Sequence, residues 1–152
     1  MSIRWPLAAL HLLGLGIGLG AVFARARALR AELDRAGLRR ALQADIWWAV
    51  AAAVWIGTGL VRAFTGIEKG SSYYLHNHLF LAKMGLFVLI LLLEIRPIVA
   101  LTRWRARLAR GEEPDTSLAA ALARTSMVQV VLVVLMVFLA TGMARGYGAT
   151  GP

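Results

Sequence analysis

Four long apolar stretches, separated by polar segments, dominate the pattern of this sequence. They cover approximately residues 5–23, 46–63, 77–99 and 118–143. Each is close to the roughly 20 residues that a helix needs to cross a hydrocarbon core about 30 Å thick. Because lipid offers no partner to an unpaired backbone amide, every span should be an α-helix. The pattern predicts an all-α fold, a single four-helix transmembrane bundle of residues 1–152, with connections at 24–45 and 100–117.

The composition agrees with a membrane protein. Of the 152 residues, 59% are hydrophobic, and the mean hydropathy is +0.67. A soluble domain is nearer half apolar. The net charge of +9 could indicate a nucleic-acid partner. However, its arrangement along the chain already follows from membrane topology, so no nucleic-acid partner is expected.

The arginines are concentrated in the two connections. Six lie within residues 24–45 and four within residues 103–110, whereas the connection between spans two and three is poor in them. Positively charged loops stay in the cytoplasm. We therefore expect both arginine-rich connections inside, against anionic headgroups, and both termini outside. The predicted location is a bacterial inner (cytoplasmic) membrane.

The first connection also has helical spacing. Leu29, Leu33 and Leu38 are expected to face the bilayer, while the arginines of the same segment meet anionic headgroups. This arrangement predicts a helical extension of span one that lies at the interface, with its leucines facing the bilayer.

Two of the spans end in a similar motif. Span two ends in TGLVRAF and span four in TGMARGY, which both read T-G-x-x-R-x-aromatic and place Arg62 and Arg145 at equivalent positions. His11 and His78 lie near the starts of spans one and three. These echoes predict a parallel repeat of two helical hairpins, related by an axis along the membrane normal.

Ionisable residues inside the spans are the candidates for chemistry. Such groups are costly in lipid and usually face the bundle interior. His11 and His78 come from different helices and could be the axial ligands of a haem b, at a site near the outer surface. The cations that could pair its propionates are Arg62, Arg145 and Lys83.

Simpler interpretations of the same residues stay open. Lys83 could extend toward the headgroups, and Gly14 and Gly18, which share a face with His11, could serve helix packing instead of a macrocycle. Gln129 fits an interhelical hydrogen bond, and His76 fits the interfacial aromatic belt. The chain has no cysteine, which excludes disulfides and thiolate ligands.

Three segments carry a resemblance to a known family. AALHLLGLGIGLGAVFARARALR, ADIWWAVAAAVWIGTGLVRAF and KGSSYYLHNHLFLAKMGLF resemble a family of small bacterial membrane proteins of unknown function, across residues 7–146. This resemblance implies a four-helix, membrane-embedded protein.

A more distant resemblance is to the HemJ-type protoporphyrinogen oxidases, which are four-helix membrane proteins thought to bind haem b. It is carried by ALH in span one and by a lysine early in span three. That family has His-x-Lys where this chain has Leu81-Ala82-Lys83, so the nearest histidine is His78. The resemblance implies His11 as a haem ligand and Lys83 as an anion-pairing residue.

Three functions follow as hypotheses. The first is a b-type haem protein that passes electrons to or from a quinol or a porphyrinogen. The second is a non-catalytic accessory subunit that packs against a larger membrane complex or a second copy of itself. The third, ranked last, is a transporter or proton pathway that uses Lys83 and Glu94.

Overall fold

The computed structural model describes residues 3–65 and 77–148, and within these ranges it consists of four α-helices without a strand. They are α1 (Arg4–Ala28), α2 (Arg35–Phe64), α3 (His78–Ala109) and α4 (Ala119–Ala144). All four are long and apolar enough to cross a membrane. The prediction of an all-α four-helix transmembrane fold is therefore confirmed. His76, predicted in the aromatic belt, lies outside the described residues.

The first connection is shorter than the sequence predicted. α1 ends at Ala28, and α2 begins at Arg35 rather than near residue 46. Asp34 sets this start, because its Oδ1 accepts a hydrogen bond from the amide of Gly37 at 2.7 Å. A side-chain acceptor of this kind satisfies one of the unpaired amides of the first helical turn. Half of the predicted connection, residues 35–45, is thus an extension of span two, and only residues 24–28 extend span one.

The leucines of this connection are buried. Leu29 is 3% exposed and Leu38 5% exposed, and they pack with Leu101 and Trp104 of α3 in one apolar core. Leu33 packs against the same core. The expectation that they face the bilayer is wrong, because the chain folds back at residue 34 and directs them into the arginine-rich end of the bundle.

α1 lies at the centre of the helix arrangement. It packs against α2 on one side and α4 on another, and α4 in turn packs against α3. Gly14 allows the close approach of α2, since a Cβ atom there would lie 3.3 Å from the backbone nitrogen of Trp55. At Gly18 the neighbours are the side chains of Trp48 and Ala51. These two glycines therefore serve helix packing, and α2 covers their face.

The two hairpins, α1–α2 and α3–α4, meet through α1 and α4. In a strict two-fold repeat, the α1–α4 interface would have an equivalent interface between α2 and α3. Among the described residues, α2 and α3 share no interface of comparable extent. The shared motif does have a local counterpart. Thr58 and Thr141 each donate to the carbonyl oxygen four residues earlier, on Val54 and Val137.

A polar clasp joins the start of α3 to the segment after α4. Asn77 is fully buried and caps α3 by accepting from the amide of Leu79 at 2.9 Å. Its Nδ2 donates to the carbonyl of Tyr147 at 3.2 Å, and the amide of His78 donates to the carbonyl of Gly148 at 3.0 Å. We refer to Asn77, His78, Tyr147 and Gly148 as the clasp. It fixes the two helix ends that lie farthest from the arginine-rich connections.

Candidate functional site

A buried group of polar side chains joins all four helices in the arginine-rich half of the bundle. Its centre is Arg25 of α1, which is 0% exposed. The partners of Arg25 are Asp45 of α2, Glu94 of α3, and Ser126 and Gln129 of α4. We refer to these five residues as the Arg25 cluster.

Every N–H group of the Arg25 guanidinium has an acceptor. Nε donates to Oγ of Ser126 at 3.0 Å. Nη1 donates to Oδ1 of Asp45 at 2.7 Å and to Oε1 of Glu94 at 2.6 Å. Nη2 donates to Oε2 of Glu94 and to Oε1 of Gln129, both at 2.8 Å. Since a guanidinium carries five donors, none is left unpaired, and the pair with Glu94 is bidentate.

Opposite charges balance within and beside the cluster. The second oxygen of Asp45, Oδ2, accepts from Nη2 of Arg105 at 2.5 Å. Glu94 also accepts from Nε2 of Gln129 at 2.7 Å. Two carboxylates therefore face two guanidinium groups. This balance matters because a buried charge without compensation costs several kcal/mol, roughly 3–5 when one partner of a buried pair is removed.

Local helix geometry places the partners. Ser126 and Gln129 are three residues apart and so lie on one face of α4. Glu94 follows Ile90 by four residues on the buried face of α3, and Gln129 also donates to the Ile90 carbonyl at 3.3 Å. Trp48 follows Asp45 by three residues on α2, and the centre of its ring lies 6.0 Å from the guanidinium carbon of Arg25. Each helix thus contributes its side chains to the Arg25 cluster from the face that points into the bundle.

This cluster was not predicted from the sequence. Arg25 was expected only to be one of the six arginines that set the topology, and Glu94 only to take part in a proton pathway with Lys83. The expected interhelical hydrogen bond of Gln129 is confirmed. A signal was present, because Glu94 is the only acidic residue within residues 77–99 and Arg25 directly follows an apolar span. Single opposite charges on two spans indicate an ion pair inside the bundle.

In the other half of the bundle, His11 packs against α2. Its Nδ1 lies 3.1 Å from the carbonyl oxygen of Trp55 and 2.9 Å from Oγ1 of Thr58. A carbonyl oxygen can only accept, so Nδ1 carries the proton, and in the neutral ring the lone pair is on Nε2. Gly59 makes room for the ring, because a Cβ atom there would lie 3.2 Å from Cε1 of His11.

Aromatic contacts extend this region from α1 to α3. The ring centroids of His11 and Trp55 are 5.7 Å apart, and those of Trp55 and Phe87 are 6.1 Å apart with the two rings nearly perpendicular. Nε1 of Trp55 is buried and has no hydrogen-bond partner among the described residues. Lys83, which is half-buried, lies one turn before Phe87 on the same side of α3. We refer to His11, Trp55, Lys83 and Phe87 as the His11 site.

The other predicted site residues lie apart from it. His78 is exposed at the first position of α3, and no described hydrogen bond or ring contact joins it to His11. Arg145 is exposed just after α4, and Arg62 is half-buried in the last turn of α2. The face of Gly14, proposed for a macrocycle, is covered by α2. The described residues thus give no support to a haem held between the two histidines.

Clustered side chains that could coordinate a metal ion are absent from the described residues. Within residues 3–65 and 77–148, no group of three or more His, Asp or Glu side chains is placed to hold a metal ion. The polar centres of the described bundle are therefore an ion-pair cluster and a histidine bonded to a neighbouring helix.

These features define a membrane protein of four potential membrane-spanning helices that are tied together by buried opposite charges. The chain belongs to the DUF2214 family of predicted membrane proteins, whose family model matches residues 3–148. No curated protein and no solved structure matches it. The family match supports the first resemblance seen in the sequence, whereas no curated match supports the second, to the HemJ-type oxidases.

Proposed function

We propose that this chain is a structural subunit of a larger membrane complex, in which it acts as a rigid scaffold. The observation that supports the proposal is the saturation of the Arg25 cluster, in which all five guanidinium donors have acceptors on three other helices. A charged group that serves catalysis or transport needs a position at which a substrate or ion can enter. A fully satisfied buried network instead rigidifies the structure and specifies one packing.

The face of α1 opposite α2 offers a surface for a partner helix. Gly16 and Gly20 point about 200° away from Gly14 and Gly18 around the helix. No atom of another helix within residues 3–65 and 77–148 lies within 4 Å of the position that a Cβ would take at either Gly16 or Gly20. Small residues four apart allow a second helix to approach closely in a membrane. α2 already occupies one glycine pair in this way, and no other described helix occupies the second pair.

The mass of the assembly tests this proposal. The chain, of 16.5 kDa, is extracted from its native membranes in a mild detergent and analysed by native mass spectrometry. We expect an assembly that contains at least one different polypeptide. The double variant Gly16→Leu/Gly20→Leu should lose that polypeptide. The matched control is Gly57→Leu, because Gly57 of α2 is equally open and lies on another helix.

A species that contains only this chain in both the wild type and the glycine variant would count against a structural subunit. Loss of the partner polypeptide in the Gly57→Leu control to the same extent would count only against the Gly16 face as the surface that the partner contacts.

Haem b binding by a redox protein is the second proposal, and the orientation of His11 favours it. When Nδ1–H is held by a carbonyl, Nε2 is the nitrogen that can ligate iron, and histidines that ligate metals commonly donate their other ring N–H to a carbonyl or carboxylate in this way. Lys83 could pair a propionate, and the Trp55 N–H could donate to it. A haem at this site would supply one-electron chemistry. This proposal is independent of the Gly16 face.

The visible absorption spectrum of the protein distinguishes the haem proposal from the subunit proposal. Membranes that contain the chain would show a reduced-minus-oxidised Soret difference if haem is bound, and His11→Ala should abolish it. His78→Ala then decides whether His78 is the second ligand. A colourless, fully folded protein would end the haem proposal and leave the subunit proposal in place.

We also propose that the arginine-rich ends face the cytoplasm of a bacterial inner membrane, with both termini outside. Because the chain has no cysteine, single cysteines can report sidedness. In intact cells, Thr65→Cys should react with a membrane-impermeant maleimide, whereas Arg110→Cys should react only after permeabilisation. The reverse labelling would invert the topology.

A further inference from the structure

A cleft opens between α3 and α4 at the arginine-rich end of the bundle. It has a volume of about 400 Å³ and is distinct from both the Arg25 cluster and the His11 site. One wall of the cleft is apolar and includes Ile95, Val99 and Leu122. Ile95 and Val99 are 54% and 44% exposed, so this wall is open to the surrounding medium.

Arginines form the polar rim of this cleft. Arg96, Arg103 and Arg107 all line it and are seven and four residues apart on α3. These spacings bring their side chains to within about 40° of one another around the helix. Arg96 lies about 10 Å deeper along the axis than Arg103, and its long side chain can extend toward the surface.

The positive charge of the rim is largely uncompensated. Among the described residues, neither Arg96 nor Arg103 has an ion-pair or hydrogen-bond partner through its side chain. Nε of Arg107 is 4.0 Å from Glu112, but that carboxylate is held at 2.7 Å by Arg110. The rim thus has more cationic than anionic capacity.

One carboxylate also lines the cleft and must be accounted for. Asp115 accepts a hydrogen bond from the amide of Ser117 at 2.9 Å, which fixes it in the turn before α4. It offsets only one of the three guanidinium groups at the rim. An excess of positive charge above an apolar wall remains.

We propose that this cleft binds an anionic phospholipid, with its phosphate against Arg103 and Arg107 and an acyl chain against the apolar wall. Charge complementarity selects this occupant, because a zwitterionic lipid brings its own cation to a rim that already has an excess. Basic pockets between transmembrane helices at the cytoplasmic side are suited to anionic headgroups. The volume is also within the range of roughly 300–1,000 Å³ that ligand pockets occupy.

Lipid titration tests the proposal on the full chain in nonionic detergent. A tail-labelled phosphatidylglycerol is the probe, and phosphatidylcholine with the same label is the comparison. We expect saturable binding of the first and weak binding of the second. In Arg103→Gln/Arg107→Gln, binding of phosphatidylglycerol should be about tenfold to thirtyfold weaker, since each interfacial arginine is worth roughly fivefold.

A matched control removes the same charge elsewhere. Arg39→Gln/Arg40→Gln changes two exposed arginines of α2 and should weaken binding less than about threefold. Ala121→Phe narrows the cleft without changing its charge, because Ala121 lines it, and should also weaken lipid binding. Excess inorganic phosphate should leave the labelled lipid bound.

Four outcomes would overturn the proposal. Equal losses of phosphatidylglycerol binding in Arg103→Gln/Arg107→Gln and in Arg39→Gln/Arg40→Gln would show only a general effect of net charge. Equal binding of phosphatidylcholine would remove the headgroup selectivity. Displacement of the lipid by inorganic phosphate would identify a site for free phosphate. If phosphatidylglycerol is not bound saturably at all, an acidic segment of a partner protein becomes the better occupant.

Discussion

Replacement of Arg25 by methionine removes the central charge of the Arg25 cluster and keeps most of the side-chain length. Asp45 would retain Arg105 as a partner, at 2.5 Å. Glu94 would retain only the hydrogen bond from Gln129, at 2.7 Å. The variant therefore leaves one buried carboxylate without a compensating cation.

The expected cost can be estimated in two ways. Arg25 donates five interhelical hydrogen bonds, and at about 0.6 kcal/mol for each such bond in a membrane the loss is about 3 kcal/mol. Breaking one side of a buried ion pair costs about 3–5 kcal/mol. The two estimates agree on a loss of about 3 kcal/mol or more in the free energy of unfolding.

A second variant tests whether charge balance is the cause. Arg25→Met/Glu94→Leu removes one cation and one anion, so the remaining Asp45–Arg105 pair is neutral. The double variant should be more stable than the sum of the two single losses predicts, by at least about 1 kcal/mol. This coupling would not arise if Arg25 only filled space.

The free energy of unfolding can be measured by titration with sodium dodecyl sulfate in mixed micelles, with tryptophan fluorescence as the signal. Trp48 packs 6.0 Å from the Arg25 guanidinium and should report loss of the cluster directly. Arg27→Met is the control, because Arg27 is exposed two residues further along α1. A loss in Arg25→Met no greater than in Arg27→Met, or strictly additive losses in the double variant, would refute the reasoning.

Three further predictions concern other parts of the chain. Arg105→Gln should cost less than about 1 kcal/mol in the same titration, because its side chain is 35% exposed and the carboxylate that it contacts keeps its buried partner. Gly148→Ala should destabilise the clasp by about 1–3 kcal/mol, seen as faster hydrogen exchange there, since φ is +80° and the new Cβ would lie 2.6 Å from Cγ of Leu79. The hydrogen bond from the Ser117 amide holds the pKa of Asp115 below its usual range. The turn before α4 should therefore be fully formed above that usual range and should weaken as the pH falls through the lowered pKa. A titration of the Asp115 carboxyl followed by NMR that gives an ordinary pKa would contradict this prediction.

Hydropathy was sufficient to predict the four helices, because lipid exposure requires long apolar segments and regular hydrogen bonding. It failed at the start of α2. The helical spacing of residues 35–45 predicts an extension of span one, yet these residues begin α2 because Asp34 caps it and Leu38 is buried against Trp104. Burial of this kind depends on which helix lies opposite, and a hydropathy profile does not contain that information.

The sites were harder to predict for the same reason. The spacing of Lys83, Phe87 and Glu94 along α3 puts them near one side of that helix, which is a local property that the sequence alone contains. The partner of Glu94 is 69 residues away, and no local pattern relates it to Arg25. His11 was expected to face the interior toward α3, whereas its Nδ1 bonds to α2, the next helix along the chain.

The position of Arg25 on the first helix has a consequence for biosynthesis. As the chain leaves the ribosome, this guanidinium emerges before any of its partners. Asp45 follows 20 residues later and can neutralise it while α1 and α2 insert as a hairpin. Glu94 arrives only after 69 residues and Gln129 after 104, so assembly of the cluster waits for the last helix. Until then, the translocon or a chaperone in the membrane has to accommodate a pair of charges that the finished protein buries almost entirely.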